Sequence, residues 1–234
     1  MNLIIVTQED FIKPGRVRLA GRRFEHLKTI LKSTVGDVLS VGELNGKIGQ
    51  GKITAIDNKS VELDVHFTKT PPKKSNITLI IPMVRPPMFK RMLLTATTLG
   101  IKNIHVINFS KVEKSLWTSS SLRPQEIYEQ LILGLEQAKD TILPVVSIHQ
   151  RFKPFVEDVL PAISKNSLKL VAHPSQNPCP HQIKKPVVII IGPEGGITDS
   201  EIALLLKQGF KAVSLEERIL RVETALSFLV GRLI

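Results

Sequence analysis

A single cysteine, Cys179, occurs among 234 residues, which excludes an internal disulfide framework and agrees with a reducing compartment. Its neighbours His173 and His181 add only two imidazoles in a proline-rich loop, too small a ligand set for zinc, so no metal is expected. No run of 18 apolar residues is present, so no membrane helix is expected. The start, MNLIIVTQED, has neither a basic n-region nor a small-residue cleavage site, and the expected location is cytoplasmic. The basic excess lies in the first half. Residues 1–74 hold 13 basic and 8 acidic groups, residues 75–123 hold 7 and 1, and residues 124–234 hold 12 and 12. With a net charge of +11 and a pI of about 9.8, this asymmetry implies a polyanionic partner, nucleic acid before membrane.

A further absence concerns the stretch GPEGGITDSE at 192–201, which follows the apolar run PVVIII. A glycine-rich turn between a strand and a helix often cradles phosphate, because bare N–H groups and the helix N-terminus favour an anion. This turn has no lysine, and Gly192, Gly195 and Gly196 fit neither the P-loop nor the dinucleotide spacing. Glu194 would also repel a phosphate. The alternative to a ligand cradle is a tight turn serving only the fold.

Residues 1–70 read as a small β-rich unit. Asn45-Gly46 stands between alternating runs, a hairpin signal. In SVELDVHF, Val61, Leu63, Val65 and Phe67 share one face. RRFEHLKTILK predicts a helix with Phe24, Leu27, Ile30 and Leu31 on its apolar stripe and Arg22, Arg23, Lys28 and Lys32 elsewhere. The lysine-flanked prolines of KTPPKKSN at 69–76 cannot continue a ladder and predict a linker, with a second domain at 76–234.

Beyond the linker, apolar runs alternate with helical patterns. ITLIIPMV, IHVINF, VVSIH, LKLVA, VVIII and KAVSL are strands by this reading; PMFKRMLLTATTLG, PQEIYEQLILGLEQAK, KPFVEDVLPAIS, DSEIALLLKQGF and RVETALSFLVGRLI are helices. That order predicts an α/β fold with a parallel sheet covered on both faces. Thr198 and Glu201 have capping-box spacing, which fixes a helix start just beyond the glycines. Ligands of such sheets bind at the carboxyl ends of strands. The loops AHPSQNP, GPEGGIT and EERIL follow short apolar strands there, and a pocket built mainly from backbone suits S-adenosylmethionine, a large cofactor without phosphate.

IIIGPEGGITDSEIALLLKQGF and VSLEERILRVETAL, with LVAHP upstream, together resemble the RsmE family of 16S ribosomal RNA uridine-N3 methyltransferases of the SPOUT superfamily. EHLKTILK and VGD are similar to the helix and following turn of that family's PUA-like barrel. The resemblance implies a PUA-like β-barrel RNA-binding domain, then a SPOUT-type parallel sheet with a C-terminal trefoil knot. It also implies bound S-adenosylmethionine and a homodimer that shares its active sites. By position it places Ala172 and His173 on the first cofactor loop, Ile191, Gly192, Pro193, Glu194, Gly195 and Gly196 on the second, and Leu215, Ile219 and Leu220 on the third. It puts Arg221 and Glu223 at the catalytic mouth. The chain departs from the family pattern at Thr98, Asp140 and Glu216, positions that touch the RNA side or the dimer more than the cofactor loops.

An RNA surface is expected from Arg16, Arg18, Arg22, Arg23, Lys28 and Lys32 in the first domain and Arg85, Lys90, Arg91, Lys111 and Lys114 in the second. The competing class is a non-catalytic RNA-binding or ribosome-assembly protein that keeps the fold. Cofactor binding with turnover separates the two.

Overall fold

The computed structural model describes residues 2–234, and the chain divides into two units: residues 2–73 with Ile132–Leu143, and Lys74–Leu131 with Pro144–Ile234. In the first unit β1 (Ile4–Val6), β2 (Phe11–Lys13), β3 (Arg16–Ala20), β4 (Val38–Glu43), β5 (Ile48–Ile56) and β6 (Ser60–Lys69) form one sheet. Its order is β1-β4-β5-β6-β3-β2, with β1 parallel to β4 and the other pairs antiparallel. Asn45 stands in the β4–β5 turn at φ +60°, a conformation that Asn adopts more readily than most residues. Period-two alternation decides the register. Val61, Leu63 and Val65 are buried with Val17, Leu19, Val41 and Ile53, whereas Asp64 and His66 are exposed. Each such aliphatic contributes about 2 kcal/mol when fully buried, and a one-residue slip would expose all three on β6.

Helix α1 (Gly21–Thr29) is shorter than its apolar stripe predicts. Phe24 and Leu27 are buried, but Ile30 and Leu31 are 67% and 45% exposed. The chain leaves the helix because Leu31 N–H reaches back to the His26 carbonyl, Ser33 N–H to that of Leu27, and Lys32 turns left-handed at φ +50°.

Ile132–Leu143 belongs to the first unit through polar contacts. The Glu136 carbonyl accepts from Asn2 and Leu3 N–H, Thr141 Oγ1 donates to the Gly46 carbonyl at 2.5 Å, and the Thr141 carbonyl accepts from Asn45 N–H at 2.8 Å. Gly42 lies against this segment, with Thr141 Cγ2 only 2.5 Å from where its Cβ would stand.

The second unit holds β7 (Ile77–Pro82), β8 (Asn103–Ile107), β9 (Val145–His149), β10 (Leu168–Ala172), β11 (Val187–Ile191) and β12 (Lys211–Val213). All pairings are parallel, in the order β12-β10-β11-β7-β8-β9. Every residue of β11 is buried, as expected for a central parallel strand covered on both faces. The helices are α2 (Pro86–Thr98), α3 (Pro124–Ala138, of which the part from Ile132 on belongs to the first unit), α6 (Asp199–Lys207), α7 (Val222–Leu233) and a broken segment in place of the single helix read from KPFVEDVLPAIS. That segment comprises α4 (Phe152–Pro154), a π turn (Phe155–Val159) and α5 (Leu160–Ile163). Pro161 has no N–H to give the Glu157 carbonyl, so a regular ladder cannot run through it.

From β7 the chain steps outward to β8 and β9, then returns to lay β10 on the far side, with β11 between β10 and β7. The strand order reverses there, which is where open parallel sheets form ligand crevices.

Candidate active site

β10, β11 and β12 end side by side, Ala172 pairing with both Ile191 and Val213. The loops that follow them enclose a cavity of about 980 Å³. Ala172 and His173 line it from the first loop, with Pro174, Ser175 and Gln176. Ile191, Gly192, Pro193, Glu194 and Gly196 line it from the second, with Ile197. Leu215, Ile219, Leu220 and Arg221 line it from the third, with Glu216, Glu217 and Arg218. Gly195 and Glu223 lie outside this lining.

The glycines have three separate causes. A Cβ on Gly192 would stand 2.6 Å from Ile197 Cγ1. Gly196 sits at φ +77°, in the left-handed region, and its N–H closes the turn onto the Pro193 carbonyl at 2.8 Å. Gly195 corrects the expectation of a bare backbone facing the ligand: a Cβ there would meet Lys111 Cβ at 3.1 Å, on a neighbouring loop. Each of the three glycines therefore meets a local need of the turn.

Glu201 holds it. The capping box is present, with Thr198 N–H and Oγ1 donating to Glu201 Oε2 at 2.9 and 2.8 Å and Glu201 N–H donating to Thr198 Oγ1 at 3.3 Å. The other oxygen, Oε1, accepts from Ser110 N–H at 2.7 Å and Ser110 Oγ at 3.0 Å. The carboxylate is 4% exposed and fully supplied with donors, so it binds the start of α6 to the loop after β8. Capping spacing foretold half of this arrangement; nothing in the sequence marked Ser110.

The first and third loops are tied together. Ser175 Oγ and Asn177 Nδ2 donate to the Ala212 carbonyl, His173 N–H donates to that of Val213, and Ser214 N–H to that of Asn177. Beyond them Gln182 and Ile183 N–H donate to the Arg232 and Leu233 carbonyls at the end of α7, and Arg232 Nε donates to the Cys179 carbonyl at 2.9 Å. Burial pushes the Cys179 thiol up, away from thiolate chemistry.

Arg221 is the N-cap of α7, in extended conformation at φ −66°, ψ 155°, with an exposed side chain lining the cavity. Glu223 lies in the first turn of α7; its Oε2 is buried and has no hydrogen-bond partner among the described residues. No ion pair joins the two. Ile219 is fully exposed on the third loop.

The expected RNA-facing cations separate into two groups. In the first unit Arg16 pairs with Asp64 at 2.7 Å, Arg18 with Glu62 at 2.6 Å, Arg22 with Glu136 at 2.9 Å and Arg23 with Asp10 at 2.6 Å; in the second Lys90 pairs with Glu126 at 2.5 Å. The Arg16 guanidinium holds the Asp64 carboxyl below its ordinary value, and the Lys90 ammonium does the same to Glu126. Glu136 shifts the other way: burial outweighs its half-exposed arginine and raises it. Solvent-exposed pairs are weak and salt-screened, so Arg16 and Arg18 stay available to phosphate. Arg23 does not, because its fork grips both oxygens of a buried carboxylate and also donates to the Ile5 carbonyl. Lys28, Lys32, Arg85, Arg91, Lys111 and Lys114 have no carboxylate partner among the described residues, and Lys28 Nζ stands 5.4 Å from the Phe24 ring centre.

The model of an RNA methyltransferase domain matches residues 71–234, and that of an RNA methyltransferase PUA domain matches residues 19–65. The chain is 29% identical to the ribosomal RNA small subunit methyltransferase E of Treponema pallidum, over 96% of its own length and 87% of the relative's. With the protein of the same description from Synechocystis it shares 27% identity, covering 95% and 73%. Among solved structures it resembles a ribosomal RNA small subunit methyltransferase E from Neisseria gonorrhoeae bound to S-adenosyl methionine, at TM-score 0.77 and 22% identity over 98% of this chain and 96% of that one. A probable rRNA-methyltransferase from Porphyromonas gingivalis aligns at TM-score 0.74 and 23% identity over 99% and 95%. These two likenesses establish the shared fold.

Proposed function

The chain belongs to the RNA methyltransferase family, and from that premise we propose that it transfers a methyl group from S-adenosylmethionine to N3 of a uridine in 16S ribosomal RNA. The observation that carries this reading is the cavity at the ends of β10, β11 and β12. At about 980 Å³ it has room for an adenosine with its amino-acid tail. Its lining combines backbone groups and apolar side chains with three acids, Glu194, Glu216 and Glu217, two arginines, Arg218 and Arg221, and no lysine. The acids outnumber the arginines, a balance that suits a cationic sulfonium better than a triphosphate. The residues that would hold the cofactor are Ala172, His173, Ile191–Glu194, Gly196, Leu215, Ile219 and Leu220; Gly195 supports the turn from outside.

The cofactor supplies an electrophilic methyl group and the RNA the nucleophile, which the protein must help to form. Uridine N3 becomes nucleophilic only on losing its proton, when negative charge spreads onto O2 and O4. Arg221, exposed at the cavity, is the donor we assign to that charge, a task worth about 3 kcal/mol or roughly a hundredfold in rate. Glu223 Oε2 is buried without a hydrogen-bond partner among the described residues and forms no ion pair with Arg221, so the role we assign it is relay of the proton rather than orientation of the arginine.

The same reading includes a PUA-like barrel that binds rRNA, a trefoil knot, a homodimer with shared active sites and a cytoplasmic place of action. Gln182 and Ile183 are bonded to the end of α7, so the last turn of the chain is held against the segment ahead of β11. No helix among the described residues is long and apolar enough to cross a membrane.

Isothermal titration with S-adenosylmethionine and, in parallel, ATP tests the cavity; binding of the methyl donor alone is expected. Mass spectrometry of 16S rRNA after incubation with protein and cofactor then locates the methyl group. Donor binding without methyl transfer would favour the non-catalytic RNA-binding alternative.

A further inference from the structure

The Glu201 clasp fixes more than the glycine turn. Its Oε1 holds Ser110 by both backbone and hydroxyl, and Phe109 and Val112 on either side are buried at 1% and 9%. Val112 N–H donates to the Phe109 carbonyl at 3.0 Å, closing the loop into a tight turn. Lys111 stands on this mount, exposed and without a carboxylate partner among the described residues. Its stem crosses Gly195, Cβ to projected Cβ 3.1 Å, and its Nζ comes within 4.0 Å of a Cβ projected from Gly196, a residue that lines the cavity.

We propose that Lys111 is a phosphate anchor for the RNA strand at the edge of the cavity, and that Glu201 is the residue that positions it. The proposal rests on the methyltransferase reading. Three acids, Glu194, Glu216 and Glu217, line the cavity against two arginines, and Arg221 is already assigned to the base, so an RNA strand that brings one base to this mouth gains from a further cation beside it. A lysine is a point charge with three donors on a flexible stem, suited to a phosphate oxygen and indifferent to sequence. Freedom of the stem weakens most surface lysines as anchors; here the backbone beneath it is clamped, and the absence of a side chain at Gly195 lets the stem lie against the turn. The clamp is Glu201, which does not touch the ligand itself.

The test uses the full-length protein, S-adenosylmethionine and a 16S rRNA transcript. K111A is expected to raise the KM for RNA about tenfold, with the loss appearing in KM rather than kcat. The slope of log affinity against log salt should flatten by about 0.7–0.9, one phosphate contact. K111R should restore most of both, while affinity for the methyl donor stays within twofold of wild type. E201Q replaces one acceptor by a donor facing N–H groups, and should weaken RNA binding in the wild-type background but add little to K111A. If E201Q does not fold, K111A and K111R decide alone. An active wild type whose K111A variant keeps its KM and salt slope would overturn this proposal by itself. So would a K111A variant that loses donor affinity in step with RNA affinity, because Lys111 would then only support the turn. A wild type that neither binds the donor nor methylates the transcript would overturn the methyltransferase reading, and this proposal with it.

Discussion

Arg23 grips Asp10 through both carboxylate oxygens, at 2.6 and 2.7 Å, and Asp10 is 8% exposed. Asp10 also accepts from Thr7 N–H at 2.7 Å, so the pair joins α1 to the segment after β1. Removing the arginine leaves a buried carboxylate without its counter-charge, a cost of about 3 kcal/mol. R23A should therefore lower the urea midpoint strongly. It should do so with less effect on RNA affinity per folded molecule than a change at Lys32 or Arg85. An R23A protein of normal stability and poor RNA binding would return Arg23 to the RNA surface.

The glycine turn makes two different predictions. G192A forces a methyl group against Ile197 Cγ1, the end of a side chain that can be shortened, so I197A should recover much of the stability and donor affinity that G192A loses. G196A meets no atom closer than 4.0 Å but must hold φ +77°, a cost of about 1–2 kcal/mol that no neighbouring substitution relieves. Thermal melts and donor titrations of the two single variants, with I197A added to each, distinguish the cases. Equal rescue of both by I197A would refute the assignment.

The two kinds of periodicity were legible because each reports burial directly. The alternation in β6, the all-apolar β11 and the capping box of α6 can each be read within ten residues. What could not be read depends on partners distant in sequence. The return of Ile132–Leu143 to the first unit rests on single polar contacts such as Thr141 to Gly46, 95 residues apart. The Glu201–Ser110 bond spans 91 residues and has no compositional mark. Charge shows the same limit, since a basic residue in sequence gives no sign of whether a carboxylate folds onto it, as happens to Arg23 and not to Lys111. At the cavity, the loops AHPSQNP and EERIL could be named from their strands, and their residues Pro174–Gln176 and Glu216–Arg218 line it, although they were not singled out as cofactor residues.

Arg221 carries the most direct functional prediction. R221A removes a donor that lines the cavity without being bonded to any carboxylate, so the fold should be unaffected, and Val222 and Leu226 keep α7 docked. The rate of methyl transfer at saturating substrates should fall about a hundredfold, while the Kd for S-adenosylmethionine changes by less than about threefold. Single-turnover kinetics with the titration would show it. Parallel loss of rate and donor affinity would make Arg221 a wall of the cofactor site instead.

His105 and His149 stack on neighbouring strands, Nδ1 of the first 3.2 Å from Nε2 of the second, with Phe155 against both rings. Burial, and then the charge of His149, lower His105 to about 4; burial also lowers His149. In the unfolded chain both titrate near the ordinary value of about 6.5. Between those values the unfolded state binds protons that the folded state refuses, so stability must fall as pH drops from about 7 toward 4. His26 adds to the same slope, since burial lowers it too, and Glu136, raised by burial, opposes it at the acid end. Subtracting a variant isolates His105. H105F keeps an aromatic ring against Phe155 but cannot take a proton, and its stability should change less between pH 7 and pH 5 than that of wild type. Urea unfolding at half-unit pH steps measures this. An H105F slope equal to that of wild type would mean that His105 takes up its proton as readily in the folded state as in the unfolded one.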